Sequence, residues 1–156
     1  MTSSSPPARL HFEDFPVGEV VTYGHYEVTA EEIVAFAREF DPQPFHLDAA
    51  AARNSILGEL AASGWHVCAM FMRMMYDGYL ARTASMGSPG IDEVKWLKPV
   101  HAGEVLSCRR TTRAARISAT RPEMGLVTFQ WELFNAAGEK KTDIVGTSIV
   151  TVRGNG

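Results

Sequence analysis

The chain has 156 residues, 15 Lys and Arg against 18 Asp and Glu for a net charge of −3, with 46% hydrophobic and 21% charged residues. That is the length of one domain able to bury its own core, and the proportions exclude a fibrous or globally disordered chain. The mild acidity leaves no electrostatic basis for a nucleic-acid partner, and no apolar run reaches the roughly 18 residues that span a membrane.

Residues 1–9, starting Met1-Thr2-Ser3-Ser4-Ser5-Pro6-Pro7, lack the apolar stretch of a secretory signal and are expected to form a flexible arm before a single domain over residues 10–156. Cys68 and Cys108 form neither a CxxC pair nor a disulfide framework, which points to a reducing cytoplasm. From Glu19 to Val28 the residues are β-prone, predicting a strand. Thr29 with Glu32 three residues later reads as a capping box. Ile33, Phe36, Ala37 and Phe40 then give one apolar helical face, ended by Asp41-Pro42. Pro42 and Pro44 predict a stiff loop from Asp41 to Leu47, and Asp48 caps a short alanine-rich helix through Arg53.

A long helix is predicted to start at Ser63 or Gly64. Trp65, Ala69, Met72, Tyr76 and Tyr79 are its expected core stripe, widened by Cys68, Met75 and Leu80. After Gly87-Ser88-Pro89-Gly90 the period becomes that of strands, at Ile91–Leu97, Glu104–Thr112, Leu126–Phe134 and Thr142–Val152. Asn135-Ala136-Ala137-Gly138 supplies the last turn. Four consecutive strands and one apolar helix predict an α+β fold, an antiparallel sheet curled round a central helix.

Asp41 and His46 lie five residues apart on the double-proline loop. Acid–base work needs such groups at fixed separation, with pKa values that burial can move. Asp41 ending a helix and His46 as a structural imidazole is the plain alternative. His46, Asp48 and His101 have the ligand types of an iron site, but their spacing is unspecific and no metal is expected. Ser63-Gly64 at a helix start offers free N–H groups to an oxygen that becomes anionic. His66 in the first turn is a weaker candidate facing either solvent or the same cleft.

Arg109, Arg110, Arg113, Arg116 and Arg121 fall within thirteen residues without an acid among them. They read as a solvated strand face, or as a docking surface for a phosphorylated ligand such as the nucleotide of coenzyme A. No Gly-rich phosphate loop, GxSxG or HExxH occurs, which removes the usual support for nucleotide hydrolysis, serine hydrolysis and zinc proteolysis.

Asp41-Pro42-Gln43-Pro44-Phe45-His46-Leu47-Asp48 resembles the hydratase motif of MaoC-like dehydratases, the (R)-specific enoyl-CoA hydratase group. Ala61-Ala62-Ser63-Gly64-Trp65 resembles the start of that family's central helix, and the segment from Val94 to Glu104 the strand and turn that follow. The resemblance runs from about Phe12 to Val152 and departs at two points. Gln43 replaces the usual Asn, and Phe40 stands where Gly is common.

The resemblance implies a hot-dog fold and a homodimer or higher homo-oligomer. It implies Asp41 and His46 as catalytic pair, Gly64 as donor to a thioester oxygen, and Ser63 and Gln43 as further oxyanion or substrate-binding residues. Arg113, Arg116 and Arg121 are the candidate coenzyme A phosphate ligands. The implied activity is hydration of a 2-enoyl-CoA or dehydration of a 3-hydroxyacyl-CoA, with coenzyme A part of the substrate and no other cofactor. A hot-dog thioesterase and a non-catalytic acyl-CoA or partner-binding protein are the alternatives.

Overall fold

Alternation of inward Val21, Tyr23 and Tyr26 with outward neighbours makes β1 (Val20–Glu27) one edge of a sheet, in a computed structural model that describes residues 8–154. Of the expected arm, residues 1–7 lie outside the described residues. At Leu10 the chain is already tied in, pairing with Thr83 through bonds to the Arg82 carbonyl and the Ala84 N–H, each 2.8 Å.

Thr29 caps α1 (Ala30–Phe40), accepting from the Glu32 N–H at 3.2 Å. The reciprocal half of the predicted capping box is absent: the Glu32 carboxylate turns to Tyr26 and His66 instead. After α1 the loop tightens into one 3₁₀ turn, Pro44–His46, and Asp48 caps α2 (Ala49–Arg53) by accepting from the Ala51 N–H.

Helix α3 (Gly64–Gly78) lies against one face of a five-stranded antiparallel sheet. The strands β2 (Ser85–Trp96), β3 (Val105–Ile117), β4 (Met124–Phe134) and β5 (Lys140–Thr151) complete the order β1-β3-β4-β5-β2. The core joins Val67, Met70, Phe71 and Met74 of α3 to Leu106, Phe129, Trp131, Leu133 and Ile144 of the sheet. Burying side chains of this size stabilises by about 1.5–3 kcal/mol each, and the α+β expectation holds.

Three expectations are corrected. The buried face of α3 is His66, Val67, Met70, Phe71, Met74 and Met75, whereas the predicted core residues Trp65, Ala69, Met72 and Tyr76 are exposed. The helix is apolar on both sides, so its period alone could not choose between them. The predicted break at Gly87-Ser88-Pro89-Gly90 lies inside β2, where Gly87 and Gly90 take φ of +102° and +148° and the register against β5 shifts rather than ends. Ser88 holds that bulge, its hydroxyl donating to the Thr147 carbonyl at 2.6 Å. Arg110 is no part of a solvated face. Strand alternation turns it inward with Cys108 and Thr112, over the rings of Phe15, Tyr79 and Phe129, and Glu19 accepts from it at 2.7 Å.

Candidate active site

The end of α1 and the start of α3 converge on one cavity of about 500 Å³. Pro42 and Pro44 hold the connecting loop, so Asp41 and His46 reach back to the same point. Asp41 Oδ2 lies 3.4 Å from His46 Nε2, with both side chains largely buried. The other imidazole nitrogen, Nδ1, lies 2.7 Å from the Ala61 carbonyl. A carbonyl oxygen only accepts, so Nδ1 carries a proton and Nε2 is the nitrogen presented to Asp41.

Two donors fix the carboxylate. Ser63 Oγ donates to Asp41 Oδ2 and Gln43 Nε2 donates to Oδ1, each at 2.7 Å. Burial pushes the Asp41 carboxyl upward, but these two hydrogen bonds together with the charge of His46 outweigh it and hold the group below the usual carboxylate value. Gln43, where the family's usual residue is Asn, is thus a partner of Asp41.

Gly64 is the first residue of α3, where an N–H has no acceptor in its own helix. It lines the same cavity as Asp41 and His46. Its lack of a side chain is required by Trp96: a Cβ at Gly64 would lie 2.4 Å from the indole ring. The indole Nε1–H donates to the Gly64 carbonyl at 3.1 Å, and Trp65 packs edge-on against it with ring centroids 5.4 Å apart. Asp41, Gln43, His46, Ser63 and Gly64 are therefore brought together.

Other candidates stand elsewhere. His66 turns away from the cavity, buried, stacked on Phe36 and 3.2 Å from Glu32. His101 Nε2 meets the Leu57 carbonyl at 2.9 Å and Asp48 caps α2, so neither joins His46. Among the described residues no three His, Cys, Asp or Glu side chains are grouped to hold a metal ion.

Arg113, Arg116 and Arg121 do not line the cavity. Arg113 donates to Gln130, Arg121 donates to Glu123 at 2.8 Å, and Arg116 lines a separate cleft with Leu126 and Thr147. Strand geometry explains the placement: Arg116 pairs with Leu126, seven residues along β4 from the Leu133 that faces Thr142 of the cavity wall, or about 23 Å. The cation at the cavity is Lys98, bound to Glu139 at 2.8 Å.

Sequence reasoning missed Trp96, Lys98 and Thr142 as lining residues. Alternation from inward Val94 would have pointed to Trp96. No helix among the described residues is long and apolar enough to cross a membrane.

A family model described as a MaoC like domain matches residues 13–127. The chain is 38% identical to a MaoC-like dehydratase from Rhodospirillum rubrum, whose crystal structure superposes with a TM-score of 0.84 over 93% of this chain and 99% of that one. The unliganded R-hydratase PhaJ1 of Pseudomonas aeruginosa shares the fold at TM-score 0.71 and 20% identity, covering 94% of this chain and 88% of that chain. A Mycobacterium tuberculosis protein described as a double hotdog fold superposes at TM-score 0.79 with 13% identity, over 95% of this chain and 46% of its own length. The fold is the hot-dog fold.

Proposed function

The chain belongs to the MaoC-like domain family, and from that premise we propose that it hydrates a 2-enoyl-CoA thioester, or dehydrates the 3-hydroxyacyl-CoA, by acid–base catalysis at Asp41 and His46. The observation that carries the reading is the opposition of Asp41 Oδ2 and His46 Nε2 across 3.4 Å, each anchored from behind, beside the first N–H of α3.

Hydration needs one water and two proton transfers. The water oxygen bonds to C3 of the enoyl group as the π electrons move toward C2 and the thioester oxygen. One member of the Asp41–His46 pair accepts the proton the water loses, and the pair returns one proton to C2 as the enolate collapses, so both side chains end as they began. Atoms and charge then balance to the 3-hydroxyacyl thioester. Both groups must touch one water, which suits two proton-exchanging side chains held just beyond direct hydrogen-bond distance. The negative charge that develops on the thioester oxygen is met by the Gly64 N–H and the positive end of α3.

The substrate's coenzyme A is the only cofactor the scheme uses. A homodimer belongs to the same proposal: the apolar outer face of α3 and the open edge of β2 give a second copy a surface to cover.

The test is a panel of 2-enoyl-CoA thioesters followed both for loss of the conjugated absorbance and for thiol release, with Asp41→Asn and His46→Ala beside wild type. Hydration without thiol release is expected, falling by about 10²–10⁴-fold in each variant. Thiol release instead makes the protein a thioesterase. Binding without turnover, unaffected by Asp41→Asn, makes it a binding protein.

A further inference from the structure

Two cavities lie end to end in one trough between α3 and the strands β2 and β5. The first, of about 500 Å³, holds Asp41 and His46. The second, of about 520 Å³, has no charged residue in its lining, and Phe71, Met72, Met75, Ile91, Val94 and Ile144 form much of it. On three elements the lining passes from one cavity to the next by a single inward step. Val94 follows Trp96 on β2, Ile144 follows Thr142 on β5, and Cys68 lies one turn beyond Gly64 on α3. Trp96 pairs with Thr142 and Val94 with Ile144, so the two cavities occupy successive rungs of one ladder.

The indole of Trp96 lines the first cavity, one rung of the ladder from the second, and is 46% exposed. It starts on β2 and ends on α3, where its N–H donates to the Gly64 carbonyl and its ring fills the space a Gly64 side chain would take. Trp65 packs against it edge-on.

Resting on the reading of the first cavity as an acyl-thioester site, we infer that Trp96 sets the acyl-chain length this protein accepts, by standing between the catalytic cavity and the apolar second one. An uncharged, mostly apolar void next to the reacting carbons suits the hydrocarbon end of a substrate. The phosphates of coenzyme A find no cation there. With Trp96 in place the chain that fits is a short one. With a small residue at 96 the trough becomes continuous and accepts a longer chain.

The experiment measures binding of saturated butyryl-, hexanoyl- and decanoyl-CoA by calorimetry, and hydration of the matching 2-enoyl-CoA thioesters, each read as the long-to-short ratio within one protein. Wild type should favour the short chain or show no preference. Trp96→Ala should raise the decanoyl-to-butyryl affinity ratio by about tenfold or more, because each methylene entering an apolar cavity tightens binding about fourfold. Trp96→Leu provides a second opened protein, with circular dichroism confirming that each variant is folded.

Adding Val94→Phe to Trp96→Ala refills the second cavity and should restore the wild-type ratio. A wild-type ratio already favouring the long chain, an unchanged ratio in both opened variants, or a gain that survives Val94→Phe would each overturn the assignment. If wild type hydrates short enoyl thioesters while the ratios stay fixed, Trp96 alone loses its role. If it neither binds nor hydrates any thioester, the acyl-thioester site itself falls, and the inference with it.

Discussion

Ser63 Oγ donates to Asp41 Oδ2 at 2.7 Å, joining the residue that ends α1 to the residue that begins α3 across twenty-two positions of sequence. Ser63 occupies the N-cap of α3 yet its side chain makes no capping bond, because the hydroxyl is engaged with the carboxylate. A serine cap commonly stabilises a helix by about 0.5–2 kcal/mol. Turning that side chain elsewhere is the kind of local conflict found where a site takes precedence over local stability.

The first prediction concerns Ser63→Ala and pH. The folded Asp41 pKa lies below the unfolded value because the Ser63 and Gln43 bonds and the His46 charge outweigh the upward push of burial. A lowered carboxylate pKa contributes stability that is present above the unfolded value and is lost as pH falls through the folded one. Removing the Ser63 bond raises the folded pKa. The acid limb of the kcat/KM profile and the acid-side loss of stability should therefore both move to higher pH, while the basic limb stays in place. Profiles of wild type and variant over the acid range check this; superimposable acid limbs would mean that Ser63 does not tune Asp41.

The second prediction is that Gly64→Ala destabilises the protein, although alanine is the better helix former by about 1 kcal/mol. Its Cβ would meet three ring atoms of Trp96 between 2.4 and 2.8 Å, and that ring is held by the Gly64 carbonyl and by Trp65. Overpacking of this kind costs about 1–3 kcal/mol. Urea denaturation of Gly64→Ala, Trp96→Ala and the double variant forms a cycle, in which the double variant should lose less than the sum of the two. An additive cycle, or a stabilised Gly64→Ala, would show that the indole moves aside freely.

Much of this was readable in advance where the signal is local. Thr29 and Asp48 start their helices as their side chains predict, Asp41-Pro42 ends α1, and the turn at Gly138 separates β4 from β5. The Asp41–His46 pairing was also legible, because two prolines leave a seven-residue loop few conformations. What depended on tertiary context was not. The period of α3 is satisfied by Trp65, Met72 and Tyr76 as well as by Val67, Met70 and Met74, and only the sheet decides between them. Arg110 is buried because aromatic rings from three other segments meet over it. The Ser63–Asp41 bond and the Trp96–Gly64 bond join residues far apart in the chain, and no spacing rule announces them.

The outer face of α3 is apolar and uncovered. Trp65 is 64% exposed, Tyr76 49% and Met72 45%, and Ala69 between them is exposed too, so the stripe runs nearly the length of the helix, flanked by the Arg73–Asp77 ion pair with Arg73 over the Tyr76 ring. Beside it β2 pairs with β5 on one side only, and Met86 and Ile91 on that strand are also exposed. An open strand edge next to an apolar stripe invites association, and a two-fold axis lets a second copy satisfy both features with the same surface. Light scattering should therefore give twice the chain mass at micromolar concentration. Ala69→Asp combined with Tyr76→Asp places two like charges on the stripe, at positions that line neither cavity, and should yield a folded monomer with an unchanged circular dichroism spectrum. A wild-type protein at single-chain mass would refute the dimer, and a charged variant that stays dimeric would move the interface off α3.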